Sequence, residues 1–148
     1  YTTEGEYNRP YIANIVFQDR KRMETLNQIV HPAVFMDGLQ WQQEHAEKPY
    51  TLKEAALLFE SGSYQMLDKI ICVTAPEEIR IERVMKRDQL DRESVQARID
   101  KQLPESEKAE RSHFVIRNFA GESLIQQVLT IHKELLSLAK TKAEEQET

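Results

Sequence analysis

Residues 69–88 read KIICVTAPEEIRIERVMKRD, and the reading of the whole chain turns on them. Ile70-Ile71-Cys72-Val73 is an apolar run without polar alternation, bounded by Thr74-Ala75-Pro76. Such a run predicts a strand buried on both faces, as in a parallel sheet. Pro76, followed by Glu77 and Glu78, predicts a helix start, because proline suits the first turn and acids suit the positive end of the helix dipole. On that helix Arg80, Arg83 and Arg87 share one narrow face. Glu77 is within reach of Arg80, whereas no acid stands three or four residues from Arg83 on either side. Arg83 and Arg87 oppose each other at i,i+4, a repulsion of about 0.2–0.5 kcal/mol that a bound polyanion would offset. A solvated basic face, with Arg87 held by Asp88 or Asp91, accounts for the same residues. The helix alone does not choose between them.

Length and charge set the outer bounds. The 148 residues, 40% of them hydrophobic, suffice for one domain with a modest core. Twenty basic against 25 acidic side chains give a net charge of −5, which argues against a general nucleic-acid surface but leaves room for a local anion pocket. A single cysteine, Cys72, makes no internal disulfide, so a reducing, cytoplasmic setting is expected. Inside an apolar strand it reads as a small hydrophobe rather than a nucleophile. No apolar run approaches a membrane span, and no signal peptide is visible.

Upstream, Asn8 suits an N-cap and Pro10 a first turn, with Ile12, Ile15 and Val16 as a short apolar face. Residues 19–46 are helical in composition, and Pro32 predicts two helices meeting at His31-Pro32. Met23, Leu26, Ile29 and Val30 form the first stripe, and Trp41 reads as core or interface. Residues 49–60 predict a strand ending at Glu60, although Lys53-Glu54 is an unusual pair for a central strand. A brief capped turn or helix is expected over Ser61–Asp68. Downstream, Asp91 suits the N-cap of a helix over Arg92–Lys101, and Pro104 precedes a second short charged helix over Glu105–Arg111. Two small polar helices with little core are what a mobile lid needs, and most of their charges read as solvated surface. His113-Phe114-Val115-Ile116 predicts the last strand. An amphipathic helix over Ser123–Ala139 follows, with Leu124, Ile125, Val128, Leu129, Ile131, Leu135 and Leu136 inward. The closing KTKAEEQET lacks apolar anchors and is expected to fray.

The RxxxRD spacing of Arg83, Arg87 and Asp88 after a strand and a Pro-Glu-Glu start resembles the helix that leads into the lid of P-loop nucleoside and nucleotide kinases. Leu57-Leu58-Phe59-Glu60, Lys101-Gln102-Leu103-Pro104, Val115-Ile116-Arg117-Asn118, and Leu26-Asn27 with His31-Pro32 narrow the resemblance to the dephospho-CoA kinases. That family phosphorylates the ribose 3′-hydroxyl of dephospho-CoA with ATP, in the last step of coenzyme A biosynthesis. The resemblance implies an α/β fold: a P-loop kinase-like parallel sheet flanked by helices, with a helical substrate-side domain and a helical lid. It divides the chain into an acceptor-side region (1–48), core strands and arginine helix (49–88), lid (89–112), a returning strand with C-terminal helix (113–140) and a flexible tail (141–148).

Site residues follow from the same resemblance. Arg83 and Arg87 would stabilise charge on the transferred phosphoryl group, and Arg98 would be a third phosphate contact. Asn118 would border the adenine, though His113 and Arg117 replace acids of the family pattern there. Glu60 would hold a magnesium-bound water or orient the acceptor ribose, unless it only accepts backbone N–H bonds of the next helix. Here Ala56 stands where the family commonly has proline. His31 would lie beside the acceptor, or would merely cap a helix C-terminus. Arg9, in a Gly5-x-x-Asn8-Arg9 opening, would touch a CoA phosphate or stay an exposed residue near the cap. ATP, Mg2+ and dephospho-CoA are the implied ligands, with no metal-ligating residue, nucleic acid or membrane assigned. No GxxxxGK followed by Ser or Thr occurs, there are only four glycines, and the chain starts at Tyr1. The expectation is therefore the larger, C-terminal part of a kinase, inactive and incompletely folded alone. Another P-loop small-molecule or nucleotide kinase, or a non-catalytic helical binding module, remain the alternatives.

Overall fold

The arginine helix is fixed by the strand before it. In a computed structural model, which describes residues 1–16 and 18–146, β1 spans Ile71–Thr74 and pairs in parallel with β2, Phe114–Arg117. The register sets Ile71 opposite Phe114 and Thr74 opposite Arg117. A parallel pair needs a long crossover, and here three helices supply it: α3 (Glu77–Asp88), α4 (Arg92–Ile99) and α5 (Glu105–Glu110). The architecture is thus α/β, with a parallel pair of strands flanked by helices.

Contacts group the chain into two units, Tyr1–Thr51 and Leu52–Thr148. In the first, α1 (Arg9–Val16) packs against α2 (Arg20–Glu44). Asn8 Oδ1 accepts the Tyr11 N–H at 3.1 Å, as a capping asparagine should. Asp19 caps α2 by accepting from the Lys21 and Arg22 amides. The expected break at His31-Pro32 is absent, because α2 runs through Pro32 without interruption. Proline removes one N–H and its hydrogen bond but already has helical φ. Long helix-forming stretches on either side carry the helix through that defect.

In the second unit the core is small. Ile81 and Val95 are fully buried, and Phe59, Ile70, Ala75, Ile116 and Ile131 are nearly so. A 3-10 turn, Ser63–Met66, precedes β1, and α6 (Leu124–Gln146) packs on β2. Three expectations fail here. Residues 50–55 form no strand, and 56–61 make turns closed by Ser61 N–H to Leu57 O at 3.0 Å. Strand bonds need a partner edge, and among the described residues none pairs with this segment. Burial on both faces of β1 is not seen, since Val73 is 57% exposed. On α6 only Ile131 of the expected inward stripe is buried, while Leu124, Ile125, Val128, Leu129 and Leu136 are exposed. The same helix continues through Gln146, past the point where fraying is expected, while Glu147 and Thr148 lie outside the described residues. Its last turns rest on alanine, lysine and glutamate, which are good helix formers, and on a Lys142–Asp68 ion pair.

One edge of β2 is closed by a side chain. Gln127 Oε1 accepts the Arg117 N–H at 2.8 Å, and Gln127 Nε2 donates to the Arg117 carbonyl at 3.1 Å. The amide thereby takes the place of a neighbouring strand's peptide group.

Candidate functional site

The C-terminal ends of β1 and β2, where open α/β sheets bind their ligands, lead into the arginine helix α3 and the Asn118 loop of the second unit. The Asn118 N–H donates to the Thr74 carbonyl at 2.7 Å, extending the ladder and fixing the start of the loop. Immediately beyond β1, Pro76 caps α3, and Glu77 and Glu78 fill its acidic first turn.

The three arginines of α3 meet three different fates. Arg80 is consumed by the fold: its Nε–H donates to the Ala75 carbonyl at 3.1 Å, and the guanidinium is ion-paired with Glu105, Nε to Oε2 at 2.7 Å, with Glu77 at 3.6 Å. Arg87 is exposed and forks onto Asp88, Nε to Oδ1 at 2.7 Å and Nη2 to Oδ2 at 3.1 Å. Arg83 is exposed and makes no ion pair among the described residues. The sequence reading that left Arg83 without an acid therefore survives folding.

Arg98, from α4, joins the same carboxylate: its Nη1 stands 3.2 Å from Asp88 Oδ2. The Arg87 hydrogen bonds, with Arg98 nearby, hold the Asp88 carboxyl below its usual range. Two planar guanidinium groups thus converge on one anion, the donor geometry that also suits phosphate oxygens. Asn118, half-buried, stands at the end of β2.

Glu60 is not at a strand end, since it sits in the turn after Phe59. Its Oε1 accepts the Leu103 N–H at 3.0 Å and lies 3.0 Å from Lys108 Nζ, with only 20% of the side chain exposed. Partial burial pushes its carboxyl up, but the amides of Glu60 and Leu103 together with Lys108 outweigh this and leave it below the usual value. The amide it accepts from belongs to the chain after α4, not to the next helix. Burial, reinforced by the Glu105 charge, pushes the Cys72 thiol up, so it stays protonated at neutral pH.

In the first unit, Arg9 is exposed at the start of α1. His31 is exposed in the interior of α2, so it caps no helix end and that alternative falls. Trp41 is 46% exposed and stacks on His45 at 4.3 Å, neither core nor free.

Among the described residues no three His, Cys, Asp or Glu side chains group as a metal site. No helix is long and apolar enough to cross a membrane. Sequence reasoning missed Glu105, Lys108 and Arg111 by treating α5 as solvated surface. Their i,i+3 spacing was the available signal, and the Glu105 and Lys108 side chains are only 23% and 16% exposed.

Residues 1–123 match the family model described as Dephospho-CoA kinase. A dephospho-CoA kinase from Leptospira interrogans is 34% identical over 134 residues, covering 90% of this chain and 65% of its own length. One from Aquifex aeolicus is 35% identical over 133 residues, covering 89% of this chain and 67% of its own. Among solved structures, TT1252 from Thermus thermophilus superposes with a TM-score of 0.78 at 35% identity, over 88% of this chain and 68% of that one. The dephospho-CoA kinase of Campylobacter jejuni gives 0.61 at 28%, over 96% and 70%. The chain spans just under two thirds, 65%, of the length of the Leptospira relative.

Proposed function

The chain belongs to the dephospho-CoA kinase family, and from that premise we propose that it serves ATP-dependent phosphorylation of the ribose 3′-hydroxyl of dephospho-CoA. The observation that carries the reading is the exposed arginine face of α3, where Arg83 has no counter-ion among the described residues and Arg87 shares the Asp88 carboxylate with Arg98 of α4. In this reading ATP is the phosphoryl donor, with Mg2+ as its counter-ion, and no step assigned to this chain runs through the metal.

Phosphoryl transfer passes through a state whose charge spreads over the equatorial oxygens, so catalysis is positioning plus charge stabilisation. Arg83 supplies a fixed positive charge that costs no broken ion pair when a phosphate arrives. Arg87 and Arg98 exchange Asp88 for phosphate oxygens, retaining the fork geometry. Asn118 offers hydrogen bonds to an adenine edge from the end of β2. On the acceptor side, the Leu103 and Lys108 contacts of Glu60 both fall on Oε1, and Oε2 accepts from the ribose hydroxyl. Arg9 and His31 are assigned to the acceptor as well, by their place in the family pattern.

The test is ATP consumption with dephospho-CoA by the natural full-length protein, beside residues 1–148 alone. The reading expects turnover by the full-length protein and a product phosphorylated at the ribose 3′ position. Turnover with another small acceptor instead would leave the phosphate side standing and overturn the acceptor. Silence toward every acceptor would overturn the reading.

A further inference from the structure

The short helix α5 buries no residue, yet one face of it is bound to the rest of its unit at three successive positions. At its start, Glu105 accepts the Ala75 N–H at 3.1 Å and is ion-paired with Arg80, Oε2 to Nε at 2.7 Å, joining α5 to the end of β1 and the first turns of α3. One turn on, Lys108 stands 3.0 Å from Glu60 and donates to Gln102 Oε1 at 3.0 Å. At its C-cap, the Arg111 guanidinium lies over the rings of Phe59, at 4.5 Å, and Tyr64, at 5.0 Å. Residues three apart on a helix share a face, so Glu105, Lys108 and Arg111 form one continuous stripe.

The helix before it is held differently. α4 buries Val95, but its polar ties, Arg92 to Glu78 and Arg98 to Asp88, are exposed pairs, a class that contributes little. Its N-terminal flank is Gln89, a non-glycine residue at φ +53°, and its C-terminal flank is Asp100-Lys101. Beyond that point the chain is clamped again, Gln102 by Lys108 and Leu103 by Glu60.

We propose that Glu105 and Lys108 are positioning residues that bolt α5 to the core, so that any lid movement is confined to residues 89–101. This rests on the phosphoryl-transfer reading for its consequence, though not for its geometry. Glu105 sets Arg80, and with it the first turn of the helix that presents Arg83 and Arg87. Lys108 sets the Glu60 carboxylate. Both act through other residues and touch no substrate.

The experiment is hydrogen exchange on the full-length protein, with Glu105→Gln, Lys108→Met and the charge swap Arg80→Glu/Glu105→Arg, alongside steady-state kinetics. Amides of 105–111 should exchange at least about tenfold more slowly than those of 92–99 in the unsubstituted protein. Each single substitution should bring α5 to the rate of α4 and lower kcat by more than about tenfold, with KM for ATP within about threefold. The charge swap should recover only part of the slow exchange, because it re-forms the ion pair between positions 80 and 105 but leaves the Ala75 N–H without its Glu105 acceptor. Equal exchange of α4 and α5 in the unsubstituted protein would overturn the proposal, as would substitutions that leave α5 protected. If the protein proves not to phosphorylate dephospho-CoA, the exchange pattern still decides whether α5 is fixed, so the two failures are told apart.

Discussion

Arg83 and Asp88 are opposite answers to one problem, the placing of charge on an exposed helix. Asp88 gathers Arg87 and Arg98 and is held ionised by them, whereas Arg83 is left without an acid among the described residues. Replacing Asp88 by asparagine should free both guanidinium groups, and ATP should bind more tightly, measured by calorimetry on the full-length protein. Weaker ATP binding would mean that Asp88 orients the arginines rather than competing for them. Glu60 gives a pH test. Its folded-state value lies below the ordinary 4.5, so its stabilisation is complete above that pH and is lost as the pH falls through the folded value. Thermal unfolding of the Glu60→Gln protein should therefore trail the unsubstituted protein at neutral pH and draw level only once the pH has fallen through that lowered folded value. A gap that persists in acid would assign the effect to packing. Of these residues, Arg83 was legible because its isolation follows from local spacing alone. The partners of Glu60 were not, because Leu103 and Lys108 are distant in sequence and only the fold brings them near.

Elements were legible where local chemistry is sufficient. The Asn8 and Asp91 caps, the Pro-Glu-Glu start of α3 and the two short strands all lie where side-chain type and spacing put them. Legibility fails where an element depends on something non-local. Residues 49–60 have strand-like composition but no partner edge among the described residues, and α2 keeps its helix through a proline that should end one. The second case is measurable. Proline inside a helix costs about 3 kcal/mol relative to alanine, so Pro32→Ala should raise stability by up to that amount in denaturant unfolding. No gain would show that the chain does break at His31-Pro32. Gln127 is the counterpart on β2, where one side chain closes two backbone groups of Arg117. Gln127→Leu should cost about 1–3 kcal/mol and speed exchange of the Arg117 amide, and an unchanged amide would show that another group closes that edge.

For the whole molecule, a net charge of −5 coexists with a local basic face, so anion binding here is a matter of placement and not of overall attraction. Composition argues against a general nucleic-acid surface and could not have singled out candidate residues. The motif order along the chain is what singled them out. The measurement that tests the account most directly is steady-state phosphorylation of dephospho-CoA by the full-length protein carrying Arg83→Gln. Removing a group that acts on transition-state charge costs about 100-fold or more in kcat, and an exposed side chain with no ion pair among the described residues should change stability by no more than about 0.5 kcal/mol. A loss of that size at unchanged stability is the predicted result. A kcat within about threefold of the unsubstituted protein would contradict the assignment of the α3 arginine face to phosphoryl transfer.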